Sequence, residues 1–560
     1  MLSVNRLRMI FVLLGAVALT LGLITSGATY QQSEVIDSGP VVTWSNQFLN
    51  LAVVLLGLMV VGRLIVSGFL TQQDGKFLSS DSQNTVRETS KLSLSFAFVC
   101  VVGAITTLAT VLGLKFSQAC DPRIIQTYLW DLSPARSLLM SAGLASLVAF
   151  GARISKSLNS VAGLTALSLA AVAYPLLNSH SASLGNHSLA ITASVAHGLS
   201  MSVWVGSVLA IYPFINSGEI EVANRFSKLA SVCIALLLVS GIVSAATRMA
   251  SISDLFTSGY GQLVLIKVAL FCGIGICAIK IRKALVARSQ STSFVISELL
   301  IMALAIGVGV ALHFTPPTRA AIPNASAAED LLGFNFPPAP SASNLLLGWY
   351  PDWLFLTIGI FAGALYFVGL LRLHRSEISW PFGRTFAFYF GLSLMIWVTC
   401  AGIAKYAMIT FSAHMIQHMI LAMLVPIFLV LGAPITLALR ALPTSASDHI
   451  RTPRGWIVSL LHSTYVQLIS NPIVVLFVFS VSLYGIYFTS LFASMMGSHI
   501  GHIAMSLHFL ATGLIFSYLI IGIDPAPKRV PYWGKLLMVL VSLSIHAFFA
   551  LAIMQTSTPL

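Results

Sequence analysis

The sequence predicts an all-α, polytopic membrane protein with about fifteen transmembrane helices in two helical bundles, its N-terminus inside and its C-terminus outside. The composition is the first reason: the chain has 560 residues, of which 57% are hydrophobic and only 8% charged, whereas soluble proteins average about 25% charged residues. The other two reasons are the lengths of the apolar stretches and the placement of the basic residues.

The apolar stretches are long enough to cross a bilayer, which takes roughly 20 residues of helix. About nine precede a long polar segment and about six follow it. The predicted spans are 9–26, 48–70, 92–114, 132–151, 157–177, 189–214, 229–250, 262–280, 294–314, 353–372, 385–402, 410–432, 470–489, 500–522 and 536–556.

The basic residues set the predicted orientation. With the N-terminus inside, 22 of the 30 Lys and Arg residues fall in cytoplasmic segments and six fall outside. This is the positive-inside pattern. The net charge of +13 therefore reflects topology, with anionic lipid as the counter-charge, and predicts no nucleic-acid partner. The first span resembles a signal peptide, but its apolar run is long, and we expect it to be retained as an anchor.

The chain divides into four predicted segments. Residues 1–140 are transmembrane helices without a clear motif, 141–314 form one membrane module, and 351–560 form another. Residues 315–350, rich in Pro, Ala and Ser, are predicted to be an external linker. Six cysteines stand singly, with no CxxC pair, which argues against a zinc ribbon or a thioredoxin-like site.

Histidines gather in the C-terminal spans. His414 and His418 are four residues apart in FSAHMIQHMILAMLVPIFLVLGAP, and therefore share one helix face. His502 and His508 lie in SHIGHIAMSLHFL, and His546 lies in LSIHAFFA. A neutral imidazole ligates copper, zinc or iron, and the neighbouring methionines favour Cu(I). The pattern predicts one shared copper site.

Two other interpretations remain open for these histidines. A single intramembrane histidine most often hydrogen-bonds to a neighbouring helix. Histidines on different helices can also ligate haem, although the closely spaced pair suits one small ion better. A further pair, His197 and Met201, is again four residues apart near the predicted outer face, and indicates a site where copper enters.

The C-terminal module resembles the CtaG-type cytochrome c oxidase assembly factors over about 350–560. The resemblance is carried by HMIQHMILAMLVPIFLVLGAP, SNPIVVLFVFSVSLYGIYFTSL, HFLATGLIFSYLIIGIDPAP and a histidine in the last span. The preceding module is similar to the copper resistance protein D (CopD) family over about 140–320. Its matching strings are AHGLSMSVWVGSVLAIYPF, RFSKLASVCIALLLVSGIVSAATR, SGYGQLVLIKVALF and SELLIMALAIGVGVALHFTPP.

These resemblances imply copper handling at the outer face of a bacterial plasma membrane. The CopD-like part would admit or receive copper. The CtaG-like part would help deliver it to a haem-copper oxidase subunit or its assembly factors. The chain lacks the dense Met-x-Met or Cys-x-x-Cys runs of many copper carriers, so affinity is expected to be modest or a partner to supply ligands.

Three functions are therefore weighed. The first is a copper-binding protein that assists oxidase maturation, and the second is a copper transporter across the membrane. The third is a haem-binding membrane oxidoreductase. No enzyme activity is expected, because nothing in the sequence pairs a nucleophile with a base.

Overall fold

The computed structural model describes residues 4–27, 38–74, 77–177, 187–216, 220–286, 292–319, 332, 334–444, 451–497, 499–527 and 530–555. It is built from α-helices, as predicted, with one small hairpin of two short strands. The chain divides into two compact units, Met1–Pro323 and Asn324–Leu560.

The described part of the first unit carries nine long helices. Five short elements lie in their connections: the antiparallel strands Gln73–Asp74 and Phe77–Leu78, and the helices Phe116–Ala119, Pro122–Tyr128 and Asp254–Thr257. The long helices are Val4–Thr25, Pro40–Ile65 (continued by a π-helical turn, Val66–Leu70), Ser80–Leu112, Ser133–Ile154, Leu158–Leu177, His187–Asn216, Ile220–Arg248, Gly259–Val286 and Thr292–Phe314.

Small residues let the helices of this unit cross closely. A Cβ atom added to Gly62 would lie 1.9 Å from the carbonyl carbon of Gly206, so the helices that carry these glycines touch backbone to backbone. A Cβ on Gly307 would likewise lie 2.2 Å from the Gly15 carbonyl oxygen. Such contacts between small residues are the usual way in which membrane helices gain packing energy, because lipid offers no hydrophobic driving force between them.

The second unit is built from shorter and more broken helices. They are Ala342–Leu347, Trp353–Arg375, Phe382–Cys400, Gly402–Tyr406, Phe411–Met419, Val425–Leu431, Pro434–Ala441, Pro453–Leu461, Thr464–Ile469, Pro472–Tyr487, Ser490–Met496, His499–Ile521 and Tyr532–Gln555. A π-helical turn, Ile420–Leu424, joins the fifth and sixth of these helices. The core of the second unit lies where the helices Phe382–Cys400, Val425–Leu431 and His499–Ile521 pack together.

Thirteen helices in the described part of the chain are long and apolar enough to cross a membrane. A fourteenth span is possible if the helices Pro472–Tyr487 and Ser490–Met496, which meet at an 80° bend, count as one. The remaining predicted span corresponds to Phe382–Cys400, a helix of 19 residues that is not among the thirteen. The protein is thus a polytopic, all-α membrane protein, while the number of about fifteen and the orientation stay predictions.

Part of the predicted linker packs against the second unit. Ala342–Leu347 forms a short helix, and the Tyr350 backbone N–H donates to the Cys400 carbonyl at 2.6 Å. The Lys405 ammonium lies 4.0 Å from the centre of the Tyr350 ring. Residues 320–331 and 333 of the predicted linker lie outside the described residues. The four-segment division of the chain stays a prediction.

Candidate metal centre

Three of the predicted ligands meet in the second unit. The rings of His414 and His418 have their centres 4.2 Å apart, and the ring of His502 lies 5.8 Å and 5.6 Å from them. One ligand nitrogen from each of the three lies within 4.8 Å of the other two. The residues are 1%, 0% and 7% exposed, so the cluster faces the protein interior. Small inward movements would bring three nitrogens to the roughly 2 Å bonds of a metal site.

The helix Phe411–Met419 places the first two histidines, because residues four apart stack on one face. The helix then widens into the π-helical turn Ile420–Leu424. Pro426, just beyond this turn, has no backbone N–H to donate to the carbonyl of Ala422 four residues earlier. Such π-bulges inside α-helices are frequent at functional sites.

The third histidine is held by a close approach of two helices. His502 lies on the helix His499–Ile521, and Gly513 on the same helix faces the π-helical turn. A Cβ atom on Gly513 would lie only 2.0 Å from the Ala422 carbonyl oxygen. Only glycine lets the helix approach this closely, and the approach fixes the distance between His502 and the other two histidines.

The hydrogen bonds of the cluster leave nitrogen atoms available for a ligand. His414 Nε2 is 2.9 Å from the Tyr487 hydroxyl, whereas His414 Nδ1 is buried and has no hydrogen-bond partner among the described residues. Both nitrogens of His418 are buried and also lack a partner in this part of the chain. A buried polar atom without a partner costs about 1–3 kcal/mol, so a bound ion would remove a cost that the protein otherwise bears.

The surroundings of the cluster are aromatic and uncharged. Phe492 lies 5.4 Å from His414, and Phe509 lies 4.8 Å from His418, measured between ring centres. Met505, one turn after His502 on its helix, is fully buried in the adjoining hydrophobic cluster. No described carboxylate belongs to the histidine group. A bound metal would therefore have neutral imidazole ligands, with a soft thioether on an adjacent turn of helix.

The structure does not bring the other two C-terminal histidines into this group. The His546 ring lies 5.3 Å from the Phe479 ring, and its Nδ1–H donates to the Ser542 carbonyl at 2.7 Å. The His508 ring lies beside the next residue, Phe509. Each keeps a buried Nε2 atom without a hydrogen-bond partner. Their role as ligands stays a prediction.

The predicted site of copper entry lies in the first unit. His197 Nδ1 is 3.1 Å from the Ser240 hydroxyl, and its Nε2 is 3.5 Å from the Lys267 ammonium. Met201, one turn later, packs against the hydrophobic core of this unit. A nearby ammonium opposes a metal cation through like-charge repulsion. The assignment of copper to His197 and Met201 stays a prediction.

Two residues of the site were not singled out by sequence reasoning. Tyr487 lies within a string that carries the family resemblance, but a tyrosine in an apolar span is most simply read as packing. Gln417 is 2% exposed, and its side-chain amide donates to the Val398 carbonyl at 3.1 Å. A polar residue one position before His418 on a buried helix face is the only sequence signal of this contact.

Comparison with known proteins gives two family matches in this chain. The family model described as cytochrome c oxidase caa3 assembly factor (Caa3_CtaG) matches residues 364–560. The family model described as copper resistance protein D (CopD) matches residues 220–312. All three histidines of the cluster fall within the first match, and Lys267 falls within the second.

The similar curated proteins are mycobacterial. Uncharacterized proteins of Mycobacterium bovis and Mycobacterium tuberculosis are each 38% identical over 227 residues, which is 40% of this chain and 34% of theirs. An uncharacterized protein of Mycobacterium leprae is 37% identical over 227 residues, which is again 40% of this chain and 34% of that protein. The match therefore spans about a third of the length of these relatives. No solved structure matches the chain. One chain thus joins a CopD segment to a Caa3_CtaG segment, as the resemblance of its sequence to both families predicts.

Proposed function

We propose that this protein binds copper in the bacterial plasma membrane and assists copper-centre assembly in a haem-copper oxidase. One observation carries the proposal: His414, His418 and His502 hold ligand nitrogens within 4.8 Å of one another in the protein interior. The match to an oxidase assembly factor covers all three residues. The match to a copper resistance protein elsewhere in the chain supports copper as the metal.

The charge of the site favours Cu(I) over a divalent ion. The three imidazoles are neutral, and no described carboxylate belongs to the group. The cost of moving an ion out of water rises with the square of its charge, so an uncompensated divalent ion is strongly disfavoured here. Cu(I) accepts few ligands and favours soft thioether sulfur as well as imidazole. Met505 is close enough in the helix to His502 to offer such a sulfur.

The residues of the site have distinct roles in this proposal. Tyr487 holds the His414 ring by a hydrogen bond at Nε2, and the tautomer that donates its Nε2–H to Tyr487 would offer its Nδ1 lone pair to the ion. His418 has no hydrogen-bond partner among the described residues at either nitrogen, so either one could serve as its ligand atom. The aromatic rings around the cluster exclude water. Bound copper would then leave by exchange onto the ligands of a partner, which requires that the partner reach the predicted outer end of the helix Phe411–Met419.

The two matched segments divide the work. The first unit, which contains His197, Met201 and the CopD match at 220–312, receives copper at the outer face, and the Caa3_CtaG segment, 364–560, passes it to an oxidase subunit or to one of its assembly factors. The protein acts as a copper chaperone embedded in the membrane. It is not proposed to be an enzyme, because neither role needs a bond to be made or broken in a substrate.

Competition for Cu(I) between the purified full-length protein and a coloured chelator tests the proposal. We expect His414→Ala, His418→Ala and His502→Ala each to weaken Cu(I) binding sharply. The matched control is His374→Ala, because His374 is exposed and lies outside the cluster. Cells carrying the cluster variants should also lose oxidase activity while the protein stays in the membrane. Unchanged Cu(I) binding in all three variants would reject the site, and an optical spectrum with a haem band would favour the oxidoreductase hypothesis.

A further inference from the structure

Glu298 is a buried acid that the copper hypothesis does not use. It lies in the helix Thr292–Phe314, about 9 Å along the axis from the first residue of that helix, and it is only 4% exposed. Among the described residues it makes no hydrogen bond and no ion pair. Carboxylates inside membrane spans are rare and are usually functional.

The side chain of Glu298 lines a small cavity of about 60 Å³ that is partly open at the protein surface. A water molecule needs roughly 10–15 Å³ of such space, so the cavity is large enough for a few waters. Its walls come from four helices and are mostly apolar, including Trp204, Val208 and Phe226. The polar groups that share the cavity with Glu298 are Ser227 and Arg282.

Arg282 does not neutralise Glu298 by a direct contact. Its guanidinium donates to the Ser227 carbonyl at 3.2 Å and to the Ser231 hydroxyl. The charge that acts on Glu298 is that of Arg282, and the thiol of Cys277, on the same helix as Arg282, is the other titratable group near the carboxyl group. The remaining helices that wall the cavity contribute no charged side chain to its lining. A carboxylate here would be a buried charge without a hydrogen-bonded partner, which is costly, and a proton removes that charge.

A metal ion is a poor occupant of this cavity. Magnesium and calcium need about six oxygen ligands, and a single carboxyl group with one serine cannot supply them. The lining contains no imidazole, thiol or thioether, so a soft metal has no ligand either. A proton needs only the one carboxyl group and a water path.

We propose that Glu298 is a proton-binding site of the first unit. It is a neutral acid in the resting protein, and it exchanges its proton with the water of the cavity beside it. This inference does not depend on the copper hypothesis, because Glu298 lies outside the histidine cluster and the test needs no metal.

Labelling with the hydrophobic reagent dicyclohexylcarbodiimide tests this directly on the full-length protein in lipid vesicles. The acid proton of the carboxyl group passes to a carbodiimide nitrogen, and the carboxyl oxygen bonds to the central carbon. The acyl group then migrates to nitrogen, so that a C–O bond breaks, a C–N bond forms and the whole reagent stays attached. The reaction requires the protonated acid and access from the membrane.

Peptide mass spectrometry should locate the label at Glu298. The internal control is Glu88, whose side chain is 70% exposed and lies 3.6 Å from the Arg63 guanidinium. We expect labelling of Glu298 to be on the order of tenfold higher than that of Glu88, because only the buried group is held neutral. The variant Glu298→Gln should lose the label, and Glu88→Gln should keep it.

Two further conditions separate a proton from a small cation. Labelling of Glu298 should fall as pH rises, and sodium at fixed pH should leave it unchanged. Absence of label at Glu298 in the unmodified protein would overturn the proposal. Protection by sodium at fixed pH would also overturn it, because the site would then belong to a cation.

Discussion

Gly513→Ala is expected to separate the three histidines without touching any of them. The added Cβ would lie 2.0 Å from the Ala422 carbonyl oxygen, whereas ordinary contacts begin at about 3.4 Å. The helix His499–Ile521 must therefore move away locally by about 1.4 Å. The atom that the added Cβ would meet is the backbone carbonyl oxygen of Ala422, in the π-helical turn. No flexible side chain can therefore move to relieve the overlap.

The displacement is large compared with what a metal site tolerates. Productive geometry has to be kept within about 0.5 Å, and His502 is carried on the helix that moves. We expect Cu(I) affinity to fall by roughly 10–100-fold, the loss typical of disturbed support around metal ligands. Overpacking of this kind also costs roughly 1–3 kcal/mol of stability, so a lower melting temperature is expected as well.

The assay is Cu(I) competition on purified protein, with thermal unfolding measured on the same sample. Gly485→Ala is the matched control, because Gly485 is in the helix Pro472–Tyr487 of the same unit and a Cβ there meets nothing within 4 Å among the described residues. That variant should keep both the affinity and the melting temperature. If Gly513→Ala binds Cu(I) as tightly as the unmodified protein, the close helix approach at Gly513 does not determine the distance between His502 and the other two histidines.

Three further outcomes are expected. Tyr487→Phe should weaken Cu(I) binding by roughly 10–100-fold, because the imidazole loses the partner that orients it, while helix content by circular dichroism stays the same. Substitution of His508 or His546 by Ala should change Cu(I) affinity much less than any change within the cluster, as measured by the same competition. Reporter fusions in 315–350 should be active outside the membrane, and inside activity there would refute the predicted orientation.

The fold class followed from the composition and from the length of the apolar stretches. Such stretches lie in lipid, where no water can satisfy the backbone hydrogen bonds, and a helix satisfies them within the span. Helix ends were less predictable. The helix Ser80–Leu112 begins twelve residues before the predicted span, because its polar first turns, capped by Ser79, continue the helix beyond the apolar stretch.

The candidate site was predictable in part. Four-residue spacing alone places His414 beside His418, since helix geometry determines which residues share a face. The choice of His502 over His508 and His546 depends on how helices cross, and the crossing depends on Gly513 and the π-helical turn. No pattern within a single helix encodes such a contact, and the hydrogen bond between Tyr487 and His414 joins residues 73 positions apart.

X-ray absorption at the copper edge of the copper-loaded protein shows whether the three clustered histidines bind one copper ion. We predict one copper ion per chain, with nitrogen ligands at about 2 Å from the imidazoles of His414, His418 and His502. Protein in which all three are replaced by Ala should lose this three-nitrogen signal under the same conditions, although it remains folded in the membrane. A spectrum with sulfur ligands alone, or the same three-nitrogen signal from the triple variant, would contradict a copper site at these histidines.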